Sequence, residues 1–444
     1  MIKELVLKNF KSFGQGSSCE TGPPGVMRIP GLWPGVTVKF GGLTLIIGTN
    51  ASGKSNIRDG LRFIHGISRG YTLAEIIGEK YVEGGVLQWK GIRGGVRETV
   101  TRDGYPAARF AIEVRTALRP EDGGGTAHYD ITVDVGDKNR PPVVTDEWLR
   151  FDRHDRRTFE WKAAASPGQM EIHLRRWTAK KALGPRFTMR NDRPALTQIL
   201  ELSGAKDKDV VDEVQIECRA FLRTISSVRF LDLDPNSLRK PSIPGQTVLG
   251  DKGENLSSVL QAICGDAASR EALIEWTREL TPLDVQDFQF PEVSLEGKVQ
   301  LQIVEAGGRQ ISAESASDGT LRFLAFAAAV LGTEPARCYF FEEIENGIHP
   351  NRAHLLINLL QTATRGGKIQ VIGTTHSPAL LNFLDEQGLK DASLVYRAGA
   401  ISRVRALADI PALWQISPRP PAGDLQGSGW FENAVAFLES EGKP

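Results

Sequence analysis

Residues 48–55 read GTNASGKS and match every fixed position of the phosphate-binding motif G-x-x-x-x-G-K-[ST]. Glycines in such a loop let consecutive backbone N–H groups close around phosphate oxygens, and the helix that follows adds the positive end of its dipole. Lys54 would bring a positive charge to the β- and γ-phosphates, and the Ser55 hydroxyl would help to hold Mg²⁺. We therefore expect nucleotide contacts along this loop from Gly48, Asn50, Ala51, Ser52, Gly53, Lys54, Ser55 and Asn56.

Two later segments are apolar runs that are followed by side chains suited to phosphoryl transfer. The segment CYFFEEIENGIHP, residues 338–350, predicts a buried strand that runs into Glu342 and Glu343. We expect Glu342 to hold the metal, directly or through water, and Glu343 to act as the base or to position the attacking water. IQVIGTTHSP, residues 369–378, predicts a strand that ends at His376, which could hydrogen-bond the γ-phosphate. The alternatives are a strand that ends in solvated acids and a histidine with a structural role.

A fourth segment, SASDGTLRFLAFAAAVL at residues 315–331, predicts a buried helix. Ser317 and Gly319 lie at its start, where free N–H groups and the helix dipole suit an anion. The alternative is a helix cap with no further role.

These groups need elements that bring them together. LTLIIG at residues 43–48 predicts a central strand, and Ile57, Leu61 and Ile64 recur at helical spacing after the loop. The order of phosphate loop, acidic strand and histidine strand is expected if three neighbouring core strands end around one nucleotide.

Composition limits the class of protein. With 444 residues, the chain has room for two or three lobes, and 41% hydrophobic with 24% charged residues is typical of a folded protein. The net charge is zero, so a case for nucleic acid has to rest on local clusters. Four scattered cysteines and the lack of a signal-peptide core or of an apolar run of about 20 residues favour a cytoplasmic protein without a membrane span.

With the four motifs in this order, the chain resembles the ABC-type ATPases of the SMC and RecF class. It is more closely similar to the bacterial AAA-family ATPases related to overcoming-lysogenization-defect proteins. The resemblance covers about residues 1–65 and 290–438 and implies ATP and Mg²⁺ as cofactors. It also implies a homodimer in which Ser317 and Gly319 of one subunit reach the γ-phosphate held by the other, with residues 345–350 at the interface. Asn9 and Lys11, in NFKS, would lie near the nucleotide.

The implied fold is α/β: a P-loop NTPase head of the ABC type with a mixed sheet, an antiparallel β subdomain and an inserted helical lobe. We expect four parts. Residues 1–97 and 286–444 would form the two halves of the head, residues 98–208 a β-rich insertion and residues 209–285 the helical lobe.

The chain departs from the resembling families at several points. Glutamate stands at position 342, where aspartate is usual, and SDGT differs from the LSGGQ of transporters. Long coiled-coil arms and a zinc hook are missing. Only 68 residues follow His376, too few for the Toprim nuclease domain of overcoming-lysogenization-defect proteins. The analogy therefore favours an effector that acts in trans, such as a nuclease in anti-phage defence.

A basic stretch at residues 175–193 could bind DNA. Trp177 and Phe187 lie between its basic residues, as is typical of a nucleic-acid surface. The alternative is a solvated face that pairs with acidic residues elsewhere. The basic residues are Arg175, Arg176, Lys180, Lys181, Arg186, Arg190 and Arg193.

Three functions remain open at this point. The first is an ATP-driven switch that controls DNA or a partner effector. The second is a DNA-maintenance ATPase of the RecF type. The third, an ATPase subunit of a transporter, is disfavoured by the long insertion between Lys54 and Ser317.

Overall fold

A computed structural model describes residues 1–14, 35–100, 109–136, 140–154, 156–175, 184–203, 207–281, 283–416 and 420–440. The chain divides into two compact units. The first comprises Met1–Lys39, Thr49–Ser227 and Val395–Arg405, and the second comprises Phe40–Gly48, Val228–Leu394 and Ala406–Pro444. The division falls within the predicted phosphate loop, because Gly48 belongs to the second unit and the following residues belong to the first.

An eight-stranded antiparallel sheet forms the centre of the first unit, in the order β11-β10-β9-β8-β7-β6-β1-β2. Alternate residues along β6, such as Phe110, Ile112 and Val114, are buried, which is the period-two pattern of a half-covered sheet. The strands are β1 (Ile2–Lys8), β2 (Gly35–Lys39), β6 (Arg109–Ala117), β7 (Thr126–Asp134), β8 (Val143–Phe151), β9 (Arg157–Ser166), β10 (Gln169–Leu174) and β11 (Arg186–Arg190).

Helices cover this sheet, and α1 follows the phosphate loop directly. Gly60 lets α1 approach β1 closely, because a Cβ atom at this position would lie 2.7 Å from Leu7 Cδ2. Helix α1 also packs on α4, and β4 and β5 form a separate hairpin. The remaining elements of the first unit are α1 (Lys54–Ser68), α2 (Leu73–Ile77), β4 (Lys80–Val82), β5 (Val86–Trp89), α3 (Ala195–Gln198), α4 (Lys208–Ser226) and β19 (Ile401–Ala406).

A parallel sheet forms the centre of the second unit. Its strands lie in the order β12-β16-β17-β3-β18, with β18 pairing with β3 through Ser393 and Leu394. Every residue of β3, β16 and β17 is buried, as expected for parallel strands covered on both faces. The strands are β3 (Leu43–Ile47), β12 (Val228–Leu231), β16 (Cys338–Phe341), β17 (Gln370–Thr375) and β18 (Ser393–Ala398).

The buried helix α8 packs on α5, α6, α7 and α9, and Phe326 of α8 meets Phe341 of β16 with ring centroids 4.6 Å apart. The second unit also contains a small antiparallel sheet in the order β13-β14-β15. The remaining elements are α5 (Pro235–Leu238), α6 (Leu256–Ile263), α7 (Ala267–Leu280), β13 (Val285–Gln289), β14 (Gln302–Glu305), β15 (Gln310–Ser312), α8 (Asp318–Leu331), α9 (Ala353–Arg365), α10 (Glu386–Asp391), α11 (Pro411–Ile416), α12 (Ala422–Gly427) and α13 (Trp430–Ser440).

Residues 209–285, expected as one helical lobe, are divided between the two units. Helix α4 belongs to the first unit, whereas β12, α5, α6 and α7 belong to the second. Helical spacing reports which residues face a core but not which core they face, so the periodicity alone could not separate them. No helix in the described part of the chain combines the length and apolar composition needed to cross a bilayer.

Candidate functional site

The predicted phosphate loop makes a tight turn before α1. Ala51 and Gly53 have positive φ angles of 60° and 115°, and Gly53 is the residue before the first turn of the helix. A Cβ atom on Gly53 would lie 2.7 Å from Ser402 Oγ, so position 53 needs glycine for both its φ angle and its contact. The backbone conformation and the close contact with Ser402 therefore explain why the second glycine of the motif stands at position 53.

Two polar side chains of the loop are suited to a phosphate. Lys54 is buried, and its ammonium group donates a hydrogen bond to the carbonyl oxygen of Thr49 at 2.9 Å. The Ser52 hydroxyl is buried and has no hydrogen-bond partner among the described residues. An α-helix also begins with N–H groups that lack intrahelical acceptors. A folded-back lysine, an unpartnered buried hydroxyl and a helix N-terminus together fit an anionic group such as a phosphate.

Two serine hydroxyls, the half-buried one of Ser12 and the buried one of Ser402, lie at the phosphate loop. Ser12 Oγ donates to Ser402 Oγ at 2.6 Å, and Asn56 Nδ2 donates to Ser12 Oγ at 2.7 Å. Asn56, expected to contact the nucleotide, thus has its amide engaged with Ser12. Sequence reasoning missed Ser402, because nothing in the local pattern connects it to a loop about 350 positions earlier.

Asn9 and Lys11 adopt unusual backbone conformations and bind other parts of the protein. Both have positive φ angles, 52° and 53°. Asn9 Nδ2 donates to the carbonyl oxygen of Arg109 at 2.6 Å. Lys11 Nζ forms an ion pair with the buried carboxylate of Asp59 and donates to the carbonyl oxygen of Arg93 at 2.6 Å. Their described contacts hold the first loop of the chain in place, and a contact with nucleotide stays a prediction.

The acidic strand β16 is buried up to its last residue. Burial raises the pKa of the Cys338 thiol to about 12 and that of the Tyr339 hydroxyl to about 12, so neither group ionises near neutrality. Charge therefore enters only where the strand ends, at the half-buried Glu342 and Glu343. Glu343 has a φ angle of 49°, a strained conformation for a residue with a Cβ atom.

The neighbouring strand holds this conformation and supplies the histidine. The N–H of Glu343 donates to Thr374 Oγ1 at 2.9 Å. His376 Nε2 lies 3.2 Å from Glu343 Oε1, and Asn346 Nδ2 donates to Glu343 Oε2 at 2.5 Å. Both members of the pair remain accessible, with 33% of the His376 side chain and 46% of the Glu343 side chain exposed. The structure thus brings Glu343 and His376 together, and their roles as base and phosphate-contacting group stay predictions.

Strand β3 lies beside this pair of strands in the same sheet. Thr375, the last residue of β17, is in register with Ile47, the last residue of β3. Gly48 then begins the phosphate loop. The three predicted core strands are therefore neighbours, with β17 between the acidic strand and the strand that leads into the loop.

Residues 317–320 (SDGT), which correspond to the signature motif of ABC-type ATPases in the resemblance and are called the signature turn below, cap α8 and are held by an arginine. Ser317 is exposed, and its Oγ accepts a hydrogen bond from the N–H of Thr320 at 3.1 Å. Arg239 donates to Asp318 Oδ1 at 2.6 Å and to the carbonyl oxygen of Ala316 at 3.0 Å. A helix cap was one of the two interpretations of this segment, the other being a site for an anion. Ser317 remains accessible in the cap. Sequence reasoning missed Arg239, which is distant in the chain.

The opposite side of this turn meets the segment after the acidic strand. A Cβ atom on Gly319 would lie 2.2 Å from the carbonyl oxygen of Gly347. The helix start and the turn at residues 345–348 can touch in this way only because position 319 has no side chain.

Residues 43–382 match the protein family described as "AAA domain, putative AbiEii toxin, Type IV TA system". The chain belongs to this AAA family. The matched residues make up more than half of the chain and run from β3 and the phosphate loop to His376 and beyond. The expected α/β fold is confirmed, as is the expected membership of the AAA-family ATPases.

Solved structures similar to the AAA-family chain include three SMC head domains. One is an SMC head bound to the C-winged helix domain of ScpA, with 16% identity, coverage of 91% of this chain and 97% of that chain, and a TM-score of 0.48. The SMC head domain from Thermotoga maritima has 15% identity, coverage of 91% and 98%, and a TM-score of 0.42. The Smc head domain with an extended coiled coil from Pyrococcus furiosus, bound to the C-terminal domain of ScpA, has 14% identity, coverage of 94% and 98%, and a TM-score of 0.44. No curated protein sequence matches the chain.

The basic stretch of the AAA-family chain is only partly described. Arg176, Lys180 and Lys181 lie outside the described residues. The described members all pair with carboxylates, as the alternative interpretation of a solvated, acid-paired face requires. Those pairs are Arg175 with Glu160, Arg186 with Glu171, Arg190 with Asp192, and Arg193 with Glu201.

Proposed function

We propose that this AAA-family chain is an ATP hydrolase that works as a switch, in which ATP joins the heads of two copies and hydrolysis releases them. One observation carries the proposal. Glu343 and His376 meet at the ends of β16 and β17, in the sheet whose next strand leads into the phosphate loop. A carboxylate and an imidazole at the ends of parallel strands can supply the base and the hydrogen-bond donor that hydrolysis of a phosphoanhydride requires.

Nucleotide binding is assigned to the loop before α1. Lys54 would exchange its bond to the Thr49 carbonyl for the β- and γ-phosphates, and the Ser52 hydroxyl would gain the partner that it lacks. Ser55 and Glu342 are the proposed ligands of Mg²⁺, which commonly binds one or two protein oxygens together with substrate phosphates. Bound Mg²⁺ would neutralise charge on the phosphates.

Hydrolysis is assigned to Glu343 and His376. The half-buried Glu343 carboxylate would accept a proton from the attacking water, and its contacts with His376 and Asn346 would orient its two oxygens. His376 would keep the carboxylate oriented before nucleotide binds. Once nucleotide is bound, His376 Nε2–H would donate a hydrogen bond to a γ-phosphate oxygen in place of Glu343.

Pairing of two heads is supported by the exposed signature turn. Ser317 and Asp318 are exposed at the N-terminus of a buried helix, so a phosphate carried by a second copy could approach them. The effector remains a proposal by analogy: a nuclease-like partner in cytoplasmic anti-phage defence, with the family description of a toxin in a toxin–antitoxin system as support. We also propose part boundaries after residues 97, 208 and 285, with the part 209–285 contributing helices to both compact units.

The test of nucleotide chemistry is a matched pair of lysine variants. Lys54→Ala should abolish binding of a fluorescent ATP analogue and ATPase activity. Lys208→Ala should leave both unchanged. Lys208 is also the first residue of a long helix, but it is exposed. Equal ATPase activity in the two variants would rule out the proposed site.

A second candidate, a RecF-like ATPase that acts directly on DNA, can be separated from the switch by one measurement. Strong stimulation of the ATPase activity by DNA alone, lost when the basic residues of the stretch 175–193 are neutralised, would favour it. The carboxylate pairs of its described arginines favour the switch instead.

A further inference from the structure

One carboxylate ties the turn after the acidic strand to the loop that carries the histidine. Glu345 Oε1 accepts hydrogen bonds from the backbone N–H groups of His376, at 2.7 Å, and of Ser377, at 3.2 Å. The N–H of Ser377 also lies 2.9 Å from Thr375 Oγ1. The backbone immediately around His376 is therefore held by a side chain from the neighbouring segment.

The backbone of Glu345 is fixed in turn. Its carbonyl oxygen accepts a hydrogen bond from the N–H of Ile348 at 2.9 Å, and the N–H of Asn346 donates to the carbonyl oxygen of Glu343 at 2.9 Å. Glu345 thus belongs to the same tight turn as Glu343, while its side chain holds the histidine loop. His376 Nε2 and Glu343 Oε1 lie 3.2 Å apart across the same two segments.

The other oxygen of the same carboxylate is not satisfied. Glu345 Oε2 is buried and has no hydrogen-bond partner among the described residues. Burying a carboxylate oxygen without a partner costs free energy, which the two charge-assisted bonds of Oε1 have to offset. A glutamine would keep one carbonyl oxygen for both N–H groups without burying a charge, so the acceptor and the charge can be separated by substitution.

We propose that Glu345 is a positioning residue for ATP hydrolysis, which acts by fixing the backbone of His376 at the end of β17 through backbone hydrogen bonds. The inference rests on the proposed function. Glu345 contacts neither reacting atom and affects turnover only through the histidine. The acceptor oxygen is the required feature, and the negative charge is not.

The test compares Glu345→Ala, Glu345→Gln and His376→Ala in the full chain, with steady-state ATPase kinetics and binding of a fluorescent ATP analogue. Glu345→Ala should lower kcat about 10- to 100-fold while Kd for the analogue changes less than about threefold, as for other residues that orient catalytic groups. Glu345→Gln should restore kcat to within about threefold of wild type. In the His376→Ala background, Glu345→Ala should have no further effect, because residues that act as a unit are not additive.

Several results would overturn the inference: wild-type kcat in Glu345→Ala, equal loss in the glutamine and alanine variants, or additive effects of Glu345→Ala and His376→Ala. If Glu345→Ala loses analogue binding and its thermal transition, Glu345→Asp takes its place, because its shorter side chain keeps the charge but withdraws the acceptor. A wild-type protein without ATPase activity would refute the proposed function itself. An active wild type with an unaffected Glu345→Ala variant would refute only the role of Glu345.

Discussion

The contact between Gly319 and Gly347 can be tested by adding a single methyl group. In Gly319→Ala, the new Cβ atom would lie 2.2 Å from the Gly347 carbonyl oxygen, whereas real Cβ atoms essentially never approach closer than 3.0 Å. The helix start and the turn would have to separate by about 0.8 Å, and a backbone carbonyl cannot rotate away as a flexible side chain would. Overpacking of this kind costs about 1–3 kcal/mol, more than the roughly 0.5–1 kcal/mol that alanine gains over glycine within a helix.

The matched control is Gly366→Ala. Gly366 ends α9 with a φ angle of −73°, and a Cβ atom there would meet nothing within 4 Å. Thermal unfolding should therefore show a transition lowered by a few degrees for Gly319→Ala and unchanged or slightly raised for Gly366→Ala. ATPase activity should fall only in the first variant, because the displaced turn also carries Glu345. Equal stability of the Gly319→Ala and wild-type proteins would refute the close approach.

Three further outcomes follow from other contacts. Arg239→Ala should release the signature turn and weaken ATP-dependent pairing of heads in sedimentation experiments without loss of nucleotide binding; undiminished pairing would show that the arginine is dispensable. Thr374→Val removes the acceptor for the N–H of Glu343 and should lower kcat about tenfold, whereas an unchanged kcat would argue against that support. Burial, followed by the negative charge of Glu113, raises the pKa of Asp130 from 3.8 to about 8. Between these two pH values the folded state keeps a proton that the unfolded state loses, so the free energy of unfolding falls as the pH rises. Asp130→Asn should therefore flatten the pH dependence of the melting temperature. An unaltered slope would contradict this assignment.

The sequence predicts the parts of the site that depend on local pattern. A short apolar run, a glycine-rich turn and helical spacing identify β3, the loop around Lys54 and α1, because strand, turn and helix each leave their own signal within a few residues. The runs that end at Glu343 and His376 identify β16 and β17 in the same way. Parallel strands that carry motifs at their ends are expected to be neighbours, and the sheet order places them so.

Contacts between distant segments leave no such signal. Ser402 supports the phosphate loop from the other end of the chain, and Arg239 holds the start of α8. The sequence predicts Glu345 only as part of the segment 345–350 at the implied interface, because a glutamate that accepts two backbone N–H groups looks like any other surface acid in the sequence. The division of residues 209–285 between two units was hidden for the same reason, since periodicity does not identify the packing partner.

The central claim is that one nucleotide, bound by the loop around Lys54, is hydrolysed with Glu343 as the base and joins two copies of the chain. Its most direct test is the molar mass of Glu343→Gln in solution, measured by light scattering with and without ATP and Mg²⁺. The claim predicts that Glu343→Gln is a monomer without nucleotide, is a stable dimer with ATP, and does not hydrolyse ATP. The double variant with Lys54→Ala should remain a monomer in the presence of ATP. Turnover of ATP by Glu343→Gln at the wild-type rate, or a mass that does not respond to ATP, would contradict it.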